Sequence, residues 1–516
     1  MSPHLSQSPT PLSPNSAALE APQLPLRLSL LQSRNAADVI TRCQIAAGLK
    51  ALGLCEGDRV LVHSSLVALG KVDGGANAVI DALLQTVGRQ GLVVVPTFAC
   101  QAPFDRRTSA TPLGAIPDTL WRRPEAFRSL HPTHSVAAIG KGAEELILDH
   151  EKQPTAYAEG TPYYKLARSG GKILLIGVDQ DRNTTLHAAE AITGAPYLTD
   201  IEATYICDYG NHITIPVAAM AGPHRDFIGL DRLFRSNGAM KTGKIGKAVC
   251  RLMDAGKMLD LAIDAIRRDP AAVLCDNPAC ADCVMQRGKI KAARLAGEDF
   301  TLAAVAGDIS DDPEEIIRAL QAEGINALEI TPNDFQAFGK DLLNAGVRIV
   351  AIQSDPDDEE GPQMAAEMRV PWIAPVAEER DLKQATALQV KWNADLLITN
   401  AGAKSDFYTG IYSAWADAPA LAFSPAGFAA ADEHPFLGVF YRGKLRKQSR
   451  HFYADDYAIT DRSPVVPGQG NGEVKEIISM LRCRSYDGVL TLRSPERGYA
   501  AFRATAAAFW NLFDNM

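Results

Sequence analysis

Two rhythms of apolar and polar positions run along this chain. Residues 36–52 carry apolar side chains at helical spacing, and the run Asp58–Ser65 (DRVLVHSS) then reads as a buried strand. The couplet repeats: Gly74-Gly75 opens a helical stretch over Ala76–Val87, and Leu92–Phe98, His134–Ile139 and Lys172–Val178 read as further strands. Strand alternating with helix predicts an α/β domain for the first half. From Asp299 the rhythm changes. Strands are predicted at Phe300–Ile309, Ala327–Thr331, Arg348–Gln353, Trp372–Val376, Asp395–Thr399, Ala420–Ser424, Gln448–Tyr453 and Val489–Arg493. Helical stretches separate most of them, at Asp312–Ala322, Asp334–Ala345, Leu382–Asn393 and Glu473–Arg482. Eight such units predict a (β/α)8, or TIM, barrel.

Composition agrees with this division. A chain of 516 residues, 47% hydrophobic and 22% charged, is long enough for two to four domains with sizeable cores. Residues 1–25, rich in Ser, Pro, Leu and Ala, form no periodic apolar face and are expected to be a disordered lead-in. The domains are then expected at 26–290 and 299–516. A net charge of -9 leaves no basic footprint, which argues against nucleic acid or an anionic membrane as partner. No run approaches the roughly 18 apolar residues of a spanning helix, and the first residues lack the order of a signal peptide, so a cytoplasmic protein is expected. Nine cysteines, an odd number, suit free thiols in a reducing compartment.

Candidate chemistry clusters at the predicted strand ends. After Lys172–Val178, the segment Asp181-Arg-Asn-Thr-Thr-Leu-His187-Ala-Ala-Glu190 starts a helix and puts His187 and Glu190 on one face. An imidazole held by a carboxylate suits a general base near neutral pH, although exposed i,i+3 pairs also occur simply as solvated helix faces. His63-Ser64-Ser65, followed by Gly74-Gly75 at a helix start, offers hydroxyls and amides to an anion, or forms a plain turn. Arg128-Ser129-Leu-His131-Pro-Thr-His134-Ser135-Val136 crowds polar groups ahead of a strand, and Gly160-Thr-Pro-Tyr-Tyr is a second helix-start pattern. Cys275-x4-Cys280-x2-Cys283 can hold structural zinc with a fourth ligand from elsewhere, Cys250 or an aspartate; buried or redox-active thiols are the alternative.

The order of these pieces resembles the aminoglycoside 3-N-acetyltransferase (antibiotic N-acetyltransferase) family. The resemblance spans about residues 30–290. It rests on His63-Ser-Ser, Gly74-Gly75, Pro96-Thr97-Phe98, Phe127-Arg-Ser-Leu-His131-Pro-Thr-His-Ser135-Val, Gly160-Thr-Pro and Asn183-Thr-Thr-Leu-His187-Ala-Ala-Glu190. It implies acetyl transfer from acetyl-CoA to an amine of an aminoglycoside or amino-sugar-like small molecule, an activity of antibiotic resistance. His187 would be the base and Glu190 its orienting acid. It also implies cofactor contacts at Ser64, Ser65, Thr97, Ser129, His131, Ser135 and Val136. Oxyanion donors are expected among the amides near Ser64 and Ser65 or the hydroxyls of Thr184 and Thr185. Phe104-Asp105 offers a contact for a cationic acceptor, or forms a solvated loop. The number of copies in the assembly is left open, homo-oligomers included.

The second half resembles the xylose-isomerase-like sugar phosphate isomerases and epimerases, most clearly in Gly468-Gln-Gly-Asn-Gly-Glu473-Val and Tyr486-Asp-Gly-Val-Leu-Thr-Leu. Its predicted strand ends depart from a divalent-metal site. Ser424-Pro425-Ala426-Gly427 stands where Asp-Pro-Gly-His would, Tyr453 where a second histidine would, Arg493-Ser494 where a glutamate would, and Ala374-Pro375-Val376 carries no carboxylate. Glu329, His451 and Asp456 are left as pocket residues. A barrel without isomerase chemistry, serving binding, specificity or assembly, is expected. An active epimerase, making the chain bifunctional, and a non-catalytic CoA-binding regulator are the alternatives.

Overall fold

The computed structural model describes residues 39–516 apart from 100, 221, 223, 416, 443 and 444, so the expected lead-in at 1–25 lies outside the described residues. The first helix runs over Arg42–Leu52 rather than from Ala36, because Thr41 closes a capping box. The Gln44 side chain accepts the Thr41 amide proton at 2.8 Å while Thr41 Oγ1 caps the Gln44 amide. Residues Val39–Ile40 instead pair with Lys71–Val72 as a short parallel ladder.

The first half is built on a seven-stranded mixed sheet. Its centre is three parallel strands, in the order Lys172–Ile176, Arg59–Ser64, Leu92–Pro96. Antiparallel strands flank them: Ala248–Asp254 and Met240–Ile245 on one side, Val136–Gly140 and Phe127–Arg128 on the other. The central strands are continuous apolar runs because both faces are covered. Val60, Val62, Val93 and Val95 pack with the helices Arg42–Leu52 and Gly75–Val87, whereas Leu61, Val94, Ile173 and Leu175 pack with Pro162–Arg168 and Ala255–Arg268. The three parallel strands end together, at Ser64, Pro96 and Ile176, and the loops leaving them face one cleft. That is where open α/β sheets bind ligands.

Eight parallel strands close a barrel in the second half: Thr301–Val305, Ala327–Ile330, Arg348–Gln353, Trp372–Val376, Leu396–Asn400, Ala420–Phe423, Ser449–Ala454 and Val489–Leu492. Each predicted strand is present within about a residue except the first. There the chain leaves the ladder at Val305 and makes the short helix Ala306–Ile309, whose Asp308 carboxylate accepts the Ser494 amide proton at 3.0 Å and links the first strand to the last. The helix predicted from Asp334 starts two residues earlier, at Pro332, because Thr331 caps it and proline suits the first helical position.

Helix Ala281–Leu295 joins the halves, and the expected boundary at 290 falls inside it. Its first turns bury Cys283 in the core of the first half. Its later turns lie on barrel helices: a Cβ on Gly288 would stand 1.8 Å from the Gln321 carbonyl oxygen, and Lys291 and Arg294 pair with Glu323 and Asp514. The long hairpin Leu198–Ile206/His212–Met220 has no counterpart in the sequence reading. Among the described residues no helix is long and apolar enough to cross a membrane.

Candidate active site

The cleft above the parallel strands measures about 420 Å³ and is lined by His63, Ser64, Pro96, Phe98, His134, Asp181, Thr184 and His187, among others. His187 is the first residue of helix His187–Thr193, reached from the strand Lys172–Ile176 through two single-turn 3-10 segments. The i,i+3 spacing brings its Nδ1 to 2.6 Å from Glu190 Oε2. An ionised carboxylate only accepts, so Nδ1 carries the proton and Nε2 is left as the basic nitrogen.

Glu190 is fully buried and takes a second partner, Arg225 Nε, at 2.6 Å on its other oxygen. Burial alone would raise its carboxyl. The hydrogen bond from His187 and the neighbouring Arg225 guanidinium outweigh that and hold it below the usual carboxylate value. Tyr157 and Phe227 pack on the imidazole with ring centroids 5.3 and 4.9 Å away. Arg225, Tyr157 and Phe227 escaped the sequence reading. They lie far from His187 in sequence, and no local spacing announces them.

Several polar atoms around the cleft are buried without a partner: His63 Nε2, Ser64 Oγ and His134 Nδ1 among its lining, and Thr185 Oγ1 beneath. Burial, reinforced by the neighbouring His187, pushes the imidazoles of His63 and His134 down to about 3, so both are neutral at physiological pH. Buried polar groups left unpaired are costly, and their concentration beside an open cleft marks a surface shaped for a polar ligand.

The residues expected to contact cofactor fall into two sets. Ser64 lines the cleft; Ser65 is beside it but spends its amide on the Ile176 carbonyl and its hydroxyl on the Ala68 amide. Thr97, Ser129, His131, Ser135 and Val136 are buried and bonded to one another's surroundings. Ser135 Oγ donates to the Thr97 carbonyl at 3.0 Å, Ser129 Oγ caps the Val136 amide at 2.9 Å and meets His150 Nδ1 at 3.0 Å, and His131 Nδ1 accepts from the Thr133 and His134 amides. Buried Arg128 ties this layer together through Thr97 and the Ser109 carbonyl. Gly74 and Gly75, both at left-handed φ, start their helix away from the cleft lining. Phe104 is buried beneath Arg128, and Asp105 turns its carboxylate onto the Arg107 amide, so neither faces the cleft.

The barrel interior holds a second polar centre. Glu329, fully buried, is bonded by His451 Nε2 at 2.7 Å, Tyr453 Oη at 3.0 Å, and the side chains of Thr491 and Gln353. Both carboxylate oxygens are thus taken. Asp456 is not a pocket group: its carboxylate accepts the amides of Gly468, Gly470 and Gly472 and so folds the glycine-rich loop. Ser424 caps the following helix and donates to Asp455.

Cys275, Cys280 and Cys283 converge, and the fourth group beside them is His224. The expected alternative, Cys250, sits in the sheet with its thiol toward the Ala248 carbonyl, and Asp282 contributes by accepting the His224 amide proton at 3.3 Å. His224 was missed because it lies on a separate loop.

Comparison with known proteins places the first half. A family profile described as aminoglycoside 3-N-acetyltransferase matches residues 61–267. Aminoglycoside N(3)-acetyltransferase IV of Salmonella sp is 32% identical over 45% of this chain and 90% of its own length, and aminoglycoside N(3)-acetyltransferase IX of Micromonospora chalcea is 31% identical over 44% and 93%. Among solved structures, the apoenzyme of aminoglycoside acetyltransferase AAC(3)-IVa shares 31% identity over 47% of this chain and 95% of that one, with a TM-score of 0.44. The corresponding values for AAC-IIIb in its binary complex with CoASH are 30%, 45%, 97% and 0.41. With a relative above 30% identity matched over nine-tenths of its length, the chain belongs to the aminoglycoside 3-N-acetyltransferase family of acyltransferases.

Proposed function

We propose that the chain acetylates an amine of an aminoglycoside-like acceptor with acetyl-CoA, using His187 as general base. The observation that carries this reading is the buried His187–Glu190–Arg225 chain, with its free imidazole nitrogen at the wall of a cleft lined by unpaired polar atoms. Its kinship supports it: the relatives that it matches over nine-tenths of their length are named aminoglycoside N(3)-acetyltransferases. Acetyl-CoA supplies an acetyl group activated as a thioester.

His187 Nε2 takes the proton from the acceptor ammonium's conjugate amine as its nitrogen attacks the thioester carbonyl. Glu190 fixes the tautomer and stabilises the imidazolium, while Arg225 keeps Glu190 ionised. His187 then returns the proton to the departing sulfur, so amide and free thiol are the products. Ser64 Oγ, buried and unpaired at the cleft, is the donor for charge developing on the carbonyl oxygen; the Ser65 amide is already spent on Ile176. The buried layer of Thr97, Ser129, His131, Ser135 and Val136 supports the cofactor wall rather than touching it through side chains. Asp181 lines the cleft beside Arg182 and lies near Asp179 and Asp226; burial and these like charges push its carboxyl up.

The barrel is read as non-catalytic, since both Glu329 oxygens are taken by His451, Thr491, Tyr453 and Gln353. Incubating the full chain with acetyl-CoA and gentamicin or apramycin, with thiol release as the readout, tests the activity. Release with either drug is expected, and none with any aminoglycoside or amino sugar would overturn the reading.

A further inference from the structure

Acetyl transfer leaves one cluster of reactive side chains unused. Cys275 lies on the loop after helix Ala255–Arg268, Cys280 caps helix Ala281–Leu295, Cys283 is in its first turn, and His224 comes from a distant loop. The four ligand atoms all lie within 4.8 Å of one another. His224 Nδ1 is 3.3 Å from Cys283 Sγ and 3.4 Å from Cys280 Sγ. Bond lengths of about 2.3 Å to sulfur and 2.0 Å to nitrogen in a tetrahedron require nitrogen–sulfur separations of roughly 3.5 Å. We propose that Cys275, Cys280, Cys283 and His224 bind one zinc ion as a closed structural site, and that this clasp keeps Arg225 seated on Glu190.

Thiolates with one imidazole select a soft or borderline ion over calcium or magnesium. Four protein donors close the coordination shell, so the site is structural and has no position for substrate. The surroundings are arranged for it. Cys283 Sγ accepts the Cys275 amide proton at 3.4 Å, which steadies a thiolate ligand. Asp282 holds the His224 backbone against the helix start, and Gly222, at φ +79, lies so near Asp282 that a Cβ would stand 2.9 Å from its carboxylate. The link to the dyad is one residue long. Arg225 Nη1 donates to the carbonyl of His224 at 2.8 Å while its Nε holds Glu190.

The test is metal content of the full-length protein purified without added chelator, read independently of turnover. One zinc per chain is expected. His224→Ala and Cys280→Ser should lose it, whereas Cys250→Ser and His224→Cys should keep it. Because a cysteine variant can fail to fold, wild-type protein exchanged with cobalt provides the second measurement: thiolate-to-cobalt charge transfer with tetrahedral visible bands is expected. For the clasp, His224→Ala should lower kcat roughly tenfold or more with little change in KM for acetyl-CoA, and His224→Cys should restore both zinc and kcat. Protein with no bound zinc and no tetrahedral cobalt spectrum overturns the site. Loss of zinc from His224→Ala with wild-type kcat overturns the clasp.

Discussion

The two halves each bury an acid–histidine pair, and they treat it in opposite ways. Glu190 gives one oxygen to His187 and the other to Arg225, which leaves the far side of the imidazole at a cleft ringed by unpaired polar atoms. Glu329 meets His451, Thr491, Tyr453 and Gln353 and is satisfied wholly within the protein. A carboxylate with spare hydrogen-bonding capacity around it awaits a ligand, whereas a saturated one is structure. Arg493, over the Tyr453 ring and facing Asp308 at 3.9 Å, lines a cavity of about 390 Å³ at the barrel mouth, above the saturated carboxylate.

Crossed substitutions test this contrast. His187→Ala should lower kcat/KM by roughly 100-fold to 10,000-fold, the range for loss of a positioned base, while the thermal unfolding midpoint stays near wild type. Glu329→Ala should do the reverse. It strands His451, Tyr453 and Thr491 without their buried partner, so a loss of about 3–5 kcal/mol in denaturant unfolding is expected, with acetyl transfer by the folded fraction unchanged. If Glu329→Ala were stable yet inactive, the barrel would belong to the chemistry.

A smaller effect is expected where the halves meet. Gly288→Ala puts a methyl group into the Gln321 carbonyl, and neither backbone can yield without shifting a helix. A cost of about 1–3 kcal/mol is expected, seen in the unfolding of full-length protein. A neutral outcome would mean that the bridging helix sits more loosely on the barrel than the close approach implies.

How much of this was legible in the sequence follows from which contacts are local. Barrel strands such as Trp372–Val376 and the central strand Arg59–Ser64 are covered on both faces, so they read as continuous apolar runs bounded by turns. The hairpin strand Leu198–Ile206 is mostly half-buried or exposed and gives no such run. His187 and Glu190 share a helix turn, so their spacing announced the contact. Arg225 reaches Glu190 across 35 residues, and His224 reaches Cys283 across 59, distances over which periodicity carries nothing. Motif residues such as Ser129, His131 and Ser135 were easy to notice, but a motif does not tell a lining position from the scaffold under it.

The first half also has a pH signature. His63, His134 and His150 are each pushed down to about 3, chiefly by burial, whereas in the unfolded chain they titrate near 6.5. Below pH 6.5 the unfolded state therefore binds protons that the folded state refuses. Stability is complete above 6.5 and falls as pH drops, by roughly 1.4 kcal/mol per pH unit for each histidine. The depressed Glu190 and Glu329 carboxyls add their own loss only below about 4.5, while the raised carboxyls of Asp308 and Asp455 protonate first in the folded state and work in the opposite sense. Urea unfolding compared between pH 7.5 and 5.5 should thus show a falling midpoint. His131 is held well below its usual value by the same burial, so His134→Asn removes one of four such histidines and should flatten the fall by about a quarter. An unaltered slope in that variant would mean that His134 is protonated in the folded protein, and a charged His134 beside His187 would lower the basicity on which the catalytic proposal depends.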